Sequence, residues 1–598
     1  MRSIISSAWR ARGAIFSIHL VMSILAVAII GPLVGFSVQL GVSLSGKGAL
    51  TDFDIAKFLF SPLGLIVLIV LAAIILTAAA LELAALLIAL RDGGSVAGPL
   101  ARRLPALLAL TAQLVVRVLL LVLPFAAIIA IIVFSHIGAY DINYYLSKMP
   151  PEFVRAILYS APLLLIAIGL LAWSLAGWVM ALPLVLSGHA AGAAIKESTQ
   201  LTRSNRRKVA MGLFIWAIVT LVISALIGAL MRGAIVLLMP PVTAGLGTVA
   251  IMGLVSLLIW AGANLLTGAI SAGLLAAAVD NLAARLIPEW ERARPAYVPG
   301  ARRRMALLVG AVAVFGAVTT GWNLMRGAAP RDDVAIIAHR GAAGARPENT
   351  IAAMKEALAQ GADWLEIDVQ EDATGRVVVA HDSDFMKLAD NPLTVWDATP
   401  EALAQIDVGS WFDPAYADER VPTLRDVLEL ARGKAGVVVE LKYYGHDEQL
   451  AARVAQIVEE TGMVEATQFM SLKPKQVADM RATRPGWPVG LLAATSIGDL
   501  SDYDADFLAV STGAASRSFI ADAQDAGKKV YVWTVNDPLD MAQMLSRGVD
   551  GLITDEPGLA RDVMAELANL TTGQRLMLEL AALFGMDASD KTYRDESP

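Results

Sequence analysis

Long apolar runs within residues 1–329 constrain this chain more than any other feature. A helix crossing a hydrocarbon layer ~30 Å thick needs about 20 mainly apolar residues. Seven stretches qualify, at roughly 15–41, 60–90, 105–136, 154–187, 209–238, 246–280 and 304–325. Several exceed the minimum, which leaves room for tilt and for kinks at Pro32, Pro62, Pro124, Pro162 and Pro183. The first stretch does not read as a cleaved signal peptide, because further spans follow it directly. A mean hydropathy of +0.60 with 56% hydrophobic residues is too high for a wholly soluble chain. The excess is confined to residues 1–329, while 330–598 carry an ordinary globular mixture. The expected organisation is a multi-pass α-helical membrane domain at 1–329 with about seven transmembrane helices. A soluble-type domain follows at 330–570, and a helical then acidic tail at 571–598.

Charge orients the spans. With the N-terminus cytoplasmic, the inner segments hold Arg2, Arg10 and Arg12; Arg91, Arg102 and Arg103; Lys196, Arg203 and Arg206–Lys208; and Arg285, Arg292, Arg294 and Arg302–Arg304. The opposite loops hold only Lys47, Lys57, Lys148, Arg155, Arg232, Arg326 and Arg331. That bias predicts a multi-pass inner or plasma membrane protein whose C-terminal domain lies outside the cytoplasm. Arg117 interrupts an apolar run; it marks either an intramembrane site or a side chain that packs or snorkels. Segment 190–212 reads as an amphipathic cytoplasmic element with a basic face toward anionic headgroups. No pairing of charges is apparent inside the runs, so transport is not the favoured function. The net charge of −7 gives no reason to expect nucleic acid as a partner. With no Cys, disulfides and thiolate zinc sites are excluded.

From Val334 the pattern changes. Short β-branched runs alternate with helical stretches: AIIAHR (335–340), WLEIDV (364–369), GVVVELK (436–442), TQFMS (467–471), VGLLAA (489–494), DFLAVS (506–511), KVYVWTV (529–535) and GLITD (551–555). Eight parallel strands with helical spacers over ~230 residues predict an α/β fold, a (β/α)8 TIM barrel. A ninth run, RVVVAHD (376–382), follows the second after only Asp372–Gly375, too tight for a parallel crossover. It reads as an antiparallel return that brings His381 toward the barrel mouth. Residues 384–422, with Trp396, Trp411 and Phe412, are too long for an ordinary loop; they either cover the site or form a surface excursion.

Charged residues cluster at the strand ends: His339-Arg340, Glu366 and Asp368, His381-Asp382, Glu440 and Lys442. In a barrel of this kind the site lies at those C-terminal ends. Residues i and i+2 of a strand share a face, so Glu366 projects with Asp368 and Glu440 with Lys442. Three carboxylates without Cys suit a hard divalent cation, Ca²⁺ or Mg²⁺. The plain alternative is salt-bridging of Glu366 and Glu440 to Lys442 or Arg340, but two cations do not neutralise three acids. His339 and His381 titrate near neutrality and suit an acid–base pair. Arg340 offers a bidentate fork for phosphate oxygens and Lys442 a point charge. Gly341 and Gly344 lie where backbone amides could approach an anion. Trp533 is either a wall of the substrate pocket or part of the core, and Asp555 is placed to orient a polar partner.

These residues resemble the glycerophosphodiester phosphodiesterase family. The likeness rests on HRGxxGxxPENT at 339–350, ExD at 366–368, HD at 381–382, ExK at 440–442, VxVWTVN at 530–536 and GVDGLITDxP at 548–557, in order over about 225 residues. The membrane half is similar to the multi-helix domain attached to some members. The resemblance implies metal-dependent hydrolysis of glycerophosphodiesters to glycerol 3-phosphate and an alcohol, through a cyclic phosphate. It implies His339 and His381 as the acid/base pair, Glu366, Asp368 and Glu440 as metal ligands, and Arg340 and Lys442 as phosphate contacts. Glu348 is expected to support the His-Arg loop. A lysophospholipase D-like attack on lysolipid headgroups in the bilayer is the neighbouring alternative. A transporter or sensor with a non-catalytic barrel is the alternative from another class.

Overall fold

The computed structural model describes residues 2–45, 49–59, 61–92, 96–137, 145, 149–238, 246–290, 333–446, 448–498 and 500–570. Among these, six helices are long and apolar enough to cross a membrane: Arg12–Leu44, Pro62–Arg91, Ala97–His136, Pro151–Ser187, Arg206–Met231 and Ile259–Leu286. The seventh expected span, at 304–325, and the tail at 571–598 lie outside the described residues.

Proline explains several irregularities. Pro32 cannot donate a backbone hydrogen bond, and its ring crowds the carbonyl one turn earlier. The helix widens there into a π turn at Ala26–Ile30 before continuing over Gly31–Leu44. Pro62 does not kink a helix; it begins Pro62–Asp92, where its missing N–H costs nothing. Pro105, Pro124 and Pro162 sit inside continuous helices. Near Pro183 the fourth span breaks into Pro151–Trp178 and Ala181–Ser187.

Arg117 is exposed on its helix, as expected of a side chain that snorkels. One ionisable pair that the bundle holds is His19–Glu82, at 2.6 Å between the first and second spans. A carboxylate in an apolar layer needs such a partner. Beside it, a cleft of about 400 Å³ is lined by Trp216, Thr220, Asn264, Thr267 and Ser271. The segment after residue 190 forms the helix Ala191–Thr202, which buries Ala191, Ala194, Ile195, Ser198 and Thr202 on one face. Ser198 Oγ donates to the Gly177 carbonyl at 2.7 Å, while Arg206 lies 4.8 Å over the Trp173 ring.

Strands are numbered along the chain: β1 Ala49–Thr51, β2 Ala335–Ala338, β3 Trp364–Glu371, β4 Val377–Val379, β5 Asp384–Phe385, β6 Asn391–Thr394, β7 Gly436–Leu441, β8 Thr467–Ser471, β9 Val489–Ala493, β10 Ser496–Gly498, β11 Phe507–Ser511, β12 Lys529–Trp533 and β13 Gly551–Thr554. Eight of them, in the order β2-β3-β7-β8-β9-β11-β12-β13, are parallel, and β13 pairs β2 to close the barrel. β4 returns antiparallel on β3, with Val369 opposite Val379, as its short connection requires. Helices follow seven of the eight barrel strands. Leu424–Ala431 starts at a capping box of Thr423 and Asp426, and Pro538–Arg547 ends at Gly548 with φ +83. The connection from β9 to β11 is different: among the described residues it holds no helix, only β10.

Strand parity separates two cores. Leu365, Ile367, Val369, Val437, Val439 and Leu441 pack outward under the helices. Ile337, Val438, Phe507 and Tyr531 fill the barrel interior. Glu366, Asp368 and Glu440 share the interior parity and lie nearer the C-terminal ends than Trp364 and Val438, so they form the polar layer above that plug.

Candidate active site

Register brings the acids together. Asp368 of β3 pairs across from Glu440 of β7, and Glu366 lies two residues earlier on the same face. One oxygen from each of the three carboxylates lies within 4.8 Å of the others, and all three residues are buried. Lys442, just past β7, reaches Asp368 Oδ1 at 3.1 Å and Glu440 Oε1 at 2.9 Å. Arg340 Nε lies 3.4 Å from Asp368 Oδ2, and Nη1 donates to Glu348 Oε1 at 3.2 Å. Glu348 also accepts from Lys387 at 2.9 Å, which fits the supporting role expected of it.

The turn after β2 is built for this. Arg340 has φ +50, which a non-glycine residue adopts at a cost of about 1–3 kcal/mol. In that conformation its backbone N–H donates to Glu366 Oε2 at 2.8 Å. Gly341 follows at φ +85, and a Cβ there would lie 2.7 Å from the Ala353 backbone carbon. Its amide donates to Ala338, and that of Gly344 to Asp555. Both glycines therefore serve chain packing, with their amides already engaged. Asn349, at φ +55, donates its side-chain amide to Asp368 Oδ2 at 2.9 Å.

Burial and charge split the carboxylates. Burial pushes Asp368 up, but Lys442, His381 and Arg340 outweigh it and hold the group well below the usual carboxylate range. Burial and the charges of Asp368 and Glu440 push Glu366 well above that range. Glu440 rises to about 7, chiefly through burial, with Lys442 opposing. The salt-bridge alternative therefore covers Asp368 and Glu440 and leaves Glu366 without a side-chain cation. Glu366 Oε1 is buried and accepts no hydrogen bond. Orphaning such an atom costs about 1–3 kcal/mol or more for a charge. A hard divalent cation fits three clustered carboxylates, and Glu366 Oε1 is free to receive it.

Both imidazoles are held by a carboxylate at Nδ1. His339 pairs with Asp555 at 2.8 Å and His381 with Asp382 at 2.7 Å. With Nδ1–H donating, each ring carries its lone pair on Nε2. Burial, aided by Arg340 and Lys442, lowers His381 to about 4, so it is neutral near pH 7. Burial pushes its partner Asp382 up, but the hydrogen bond and charge of His381, with Lys387 and Arg340, together bring it down to about 2. Asn536 accepts from the Asp555 amide at 2.9 Å and so braces His339.

Trp533 is half-buried at the end of β12 against the barrel plug, and its indole N–H donates to the Ala509 carbonyl at 3.1 Å. The 384–422 excursion has its own apolar core around Val378, Phe385, Val395 and Leu403. It also reaches the site, since Trp396 stacks on His446 at 4.1 Å and lines a cleft with Gln370, Glu371, Lys442 and Tyr444. Sequence reading gave no signal for Tyr444 or His446, and Asp382 was quoted beside His381 without a role. Asn349 and Asn536 lay inside quoted motifs but had no role assigned.

Two family models match the chain. One, described as the glycerophosphoryl diester phosphodiesterase family, matches residues 339–559. The other, described as the membrane domain of glycerophosphoryl diester phosphodiesterase, matches residues 5–272. YhdW of Bacillus subtilis (strain 168) is 34% identical over 231 residues, covering 37% of this chain and 94% of the relative. The glycerophosphodiester phosphodiesterase of Caldanaerobacter subterraneus subsp. tengcongensis is 33% identical over 232 residues, covering 37% and 94%. Among solved structures, an Oleispira antarctica phosphodiesterase in complex with the product sn-glycerol-3-phosphate is 27% identical, with a TM-score of 0.37 over 39% of this chain and 96% of that one.

Proposed function

The chain belongs to the glycerophosphodiester phosphodiesterase family, and from that premise we propose that its barrel cleaves glycerophosphodiesters by metal-assisted acid–base catalysis with His339 and His381. The observation that carries the reading is the buried trio Glu366, Asp368 and Glu440, in which Glu366 Oε1 accepts no hydrogen bond, beside Arg340 and Lys442. A divalent ion, Ca²⁺ or Mg²⁺, on those three carboxylates would stabilise charge on the phosphoryl oxygens. Arg340 and Lys442 supply further positive charge to the same oxygens.

One Nε2 accepts the proton of the glycerol hydroxyl neighbouring the ester as its oxygen bonds to phosphorus. The bond to the departing alcohol breaks, and that alkoxide takes the Nε2 proton of the other ring, which must enter doubly protonated to supply it. Water then opens the cyclic phosphate with the two roles reversed, releasing glycerol 3-phosphate. The neutral resting state of His381 suits it to accept first. Asp382 and Asp555 steady the rings. Filled acid, base and cation positions favour catalysis over a decayed ligand-binding barrel.

Purified full-length protein is expected to release glycerol 3-phosphate from glycerophosphocholine, to lose that activity on chelation, and to regain it with Ca²⁺ or Mg²⁺. His339→Ala and His381→Ala should each lower kcat by about 10²–10⁴-fold with folding intact. Wild-type turnover in either variant removes that residue from the mechanism.

A further inference from the structure

The connection between the first two spans does not hang free. Its strand β1 pairs antiparallel with β10, setting Ala49 opposite Gly498, Leu50 opposite Ile497 and Thr51 opposite Ser496. Leu50 is buried with Val42, Phe58 and Val67, so β1 is fixed to the ends of both flanking spans. The helix Gly31–Leu44 touches β10 as well. A three-residue pair alone is marginal, but that apolar cluster anchors it.

β10 begins three residues beyond Ala493, the C-terminal end of β9. Three extended residues reach about 10 Å, so β10 belongs to the rim at which His339, Glu440 and Lys442 stand. It also occupies the one connection that lacks a helix among the described residues. Lys387 of the excursion lies 5.8 Å from the Trp411 ring, and Arg346, in the turn after β2, lies 5.6 Å over the excursion's Tyr416 ring. Aromatic rings interleaved with cations suit the headgroup layer.

We infer that the β1–β10 pairing holds the barrel with its catalytic mouth against the membrane surface, so that its substrate is a phosphodiester amphiphile resident in the bilayer. The same pairing puts the barrel on the face where the first two spans are joined, opposite residue 2. This inference rests on the phosphodiesterase reading for its chemistry but not for its geometry.

The chain has no cysteine, so one engineered pair reads the geometry without interference. Residues directly opposite in an antiparallel pair have Cα atoms about 4.5–5.5 Å apart, within disulfide range. Full-length Thr51→Cys/Ser496→Cys protein in phosphatidylcholine vesicles should cross-link under mild oxidation and keep its turnover of lysophosphatidylcholine within twofold. Ile497→Pro, which sets a residue that strand ladders exclude at the centre of the pairing, should lower kcat/KM for vesicle-borne lysophosphatidylcholine at least tenfold. Its turnover of soluble glycerophosphocholine should change less than twofold. Absence of the cross-link overturns the docking, and equal loss on both substrates, or loss on neither, overturns the link to bilayer substrate. A wild type inert toward both substrates with metal supplied overturns the phosphodiesterase reading and the substrate claim with it, while the cross-link still decides the docking.

Discussion

In the barrel, Asp368 is 1% exposed and faces Arg340, Lys442 and Asn349; in the bundle, Glu82 is 23% exposed and faces His19. Both are carboxylates taken from water, yet they are compensated differently. Asp368 sits among groups delivered by neighbouring strands and the turn after β2, and those charges overcome its burial. Among the described residues, Glu82 pairs with a single ring brought by another helix. A dense polar network is required where charge must be held for chemistry, whereas a lone pair suffices to keep one acid tolerable among apolar helices.

The largest effect should come from removing the barrel acid. Asp368→Ala is expected to lower kcat/KM for glycerophosphocholine by about 10³-fold or more and to cost about 3–5 kcal/mol of stability, because Arg340 and Lys442 lose a buried partner. His19→Ala should cost only about 1 kcal/mol and leave turnover of that soluble substrate within twofold. Denaturant unfolding of the detergent-solubilised variants with parallel assays checks both, and equal costs would break the contrast.

Asp555→Asn comes next. With its orienting carboxylate neutralised, His339 should lose about a hundredfold in kcat, with KM little changed. Smaller still is the pH effect at the acid cluster. Glu440 titrates at about 7, and a proton competes with a cation for the same oxygens. Apparent metal affinity should therefore fall by calorimetry as the pH drops through 7, and Glu440→Gln should reduce that slope. Least of all, Trp396→Ala should raise KM severalfold at nearly constant kcat, since it lines the cleft beside Lys442 without touching the acids.

Legibility followed the same divide. All eight barrel strands and the β4 return could be located because strand parity and turn length are local properties. The acids could be grouped for the same reason: i, i+2 spacing fixes a face, and adjacent strands then bring the faces together. Six of the seven expected spans were equally plain as stretches of apolar residues, the seventh lying outside the described residues. What the bundle concealed was partnership, since His19 and Glu82 lie 63 residues apart and nothing local couples them. Pro62 was misplaced as a kink because a helix start and a helix bend share one residue type. Trp396, Tyr444 and His446 meet only through the long excursion, so no motif announced them. The β1–β10 pair was hidden too, as three residues between two spans carry no strand signal.

That small sheet has a consequence for anyone handling the barrel alone. β10 has no hydrogen-bonded strand neighbour other than β1 among the described residues. A fragment cut away from residues 1–329 would present an uncovered row of amide and carbonyl groups beside its own entrance. Such a fragment invites a second copy to fill the vacancy, so its self-association would reflect the missing anchor and not the native assembly.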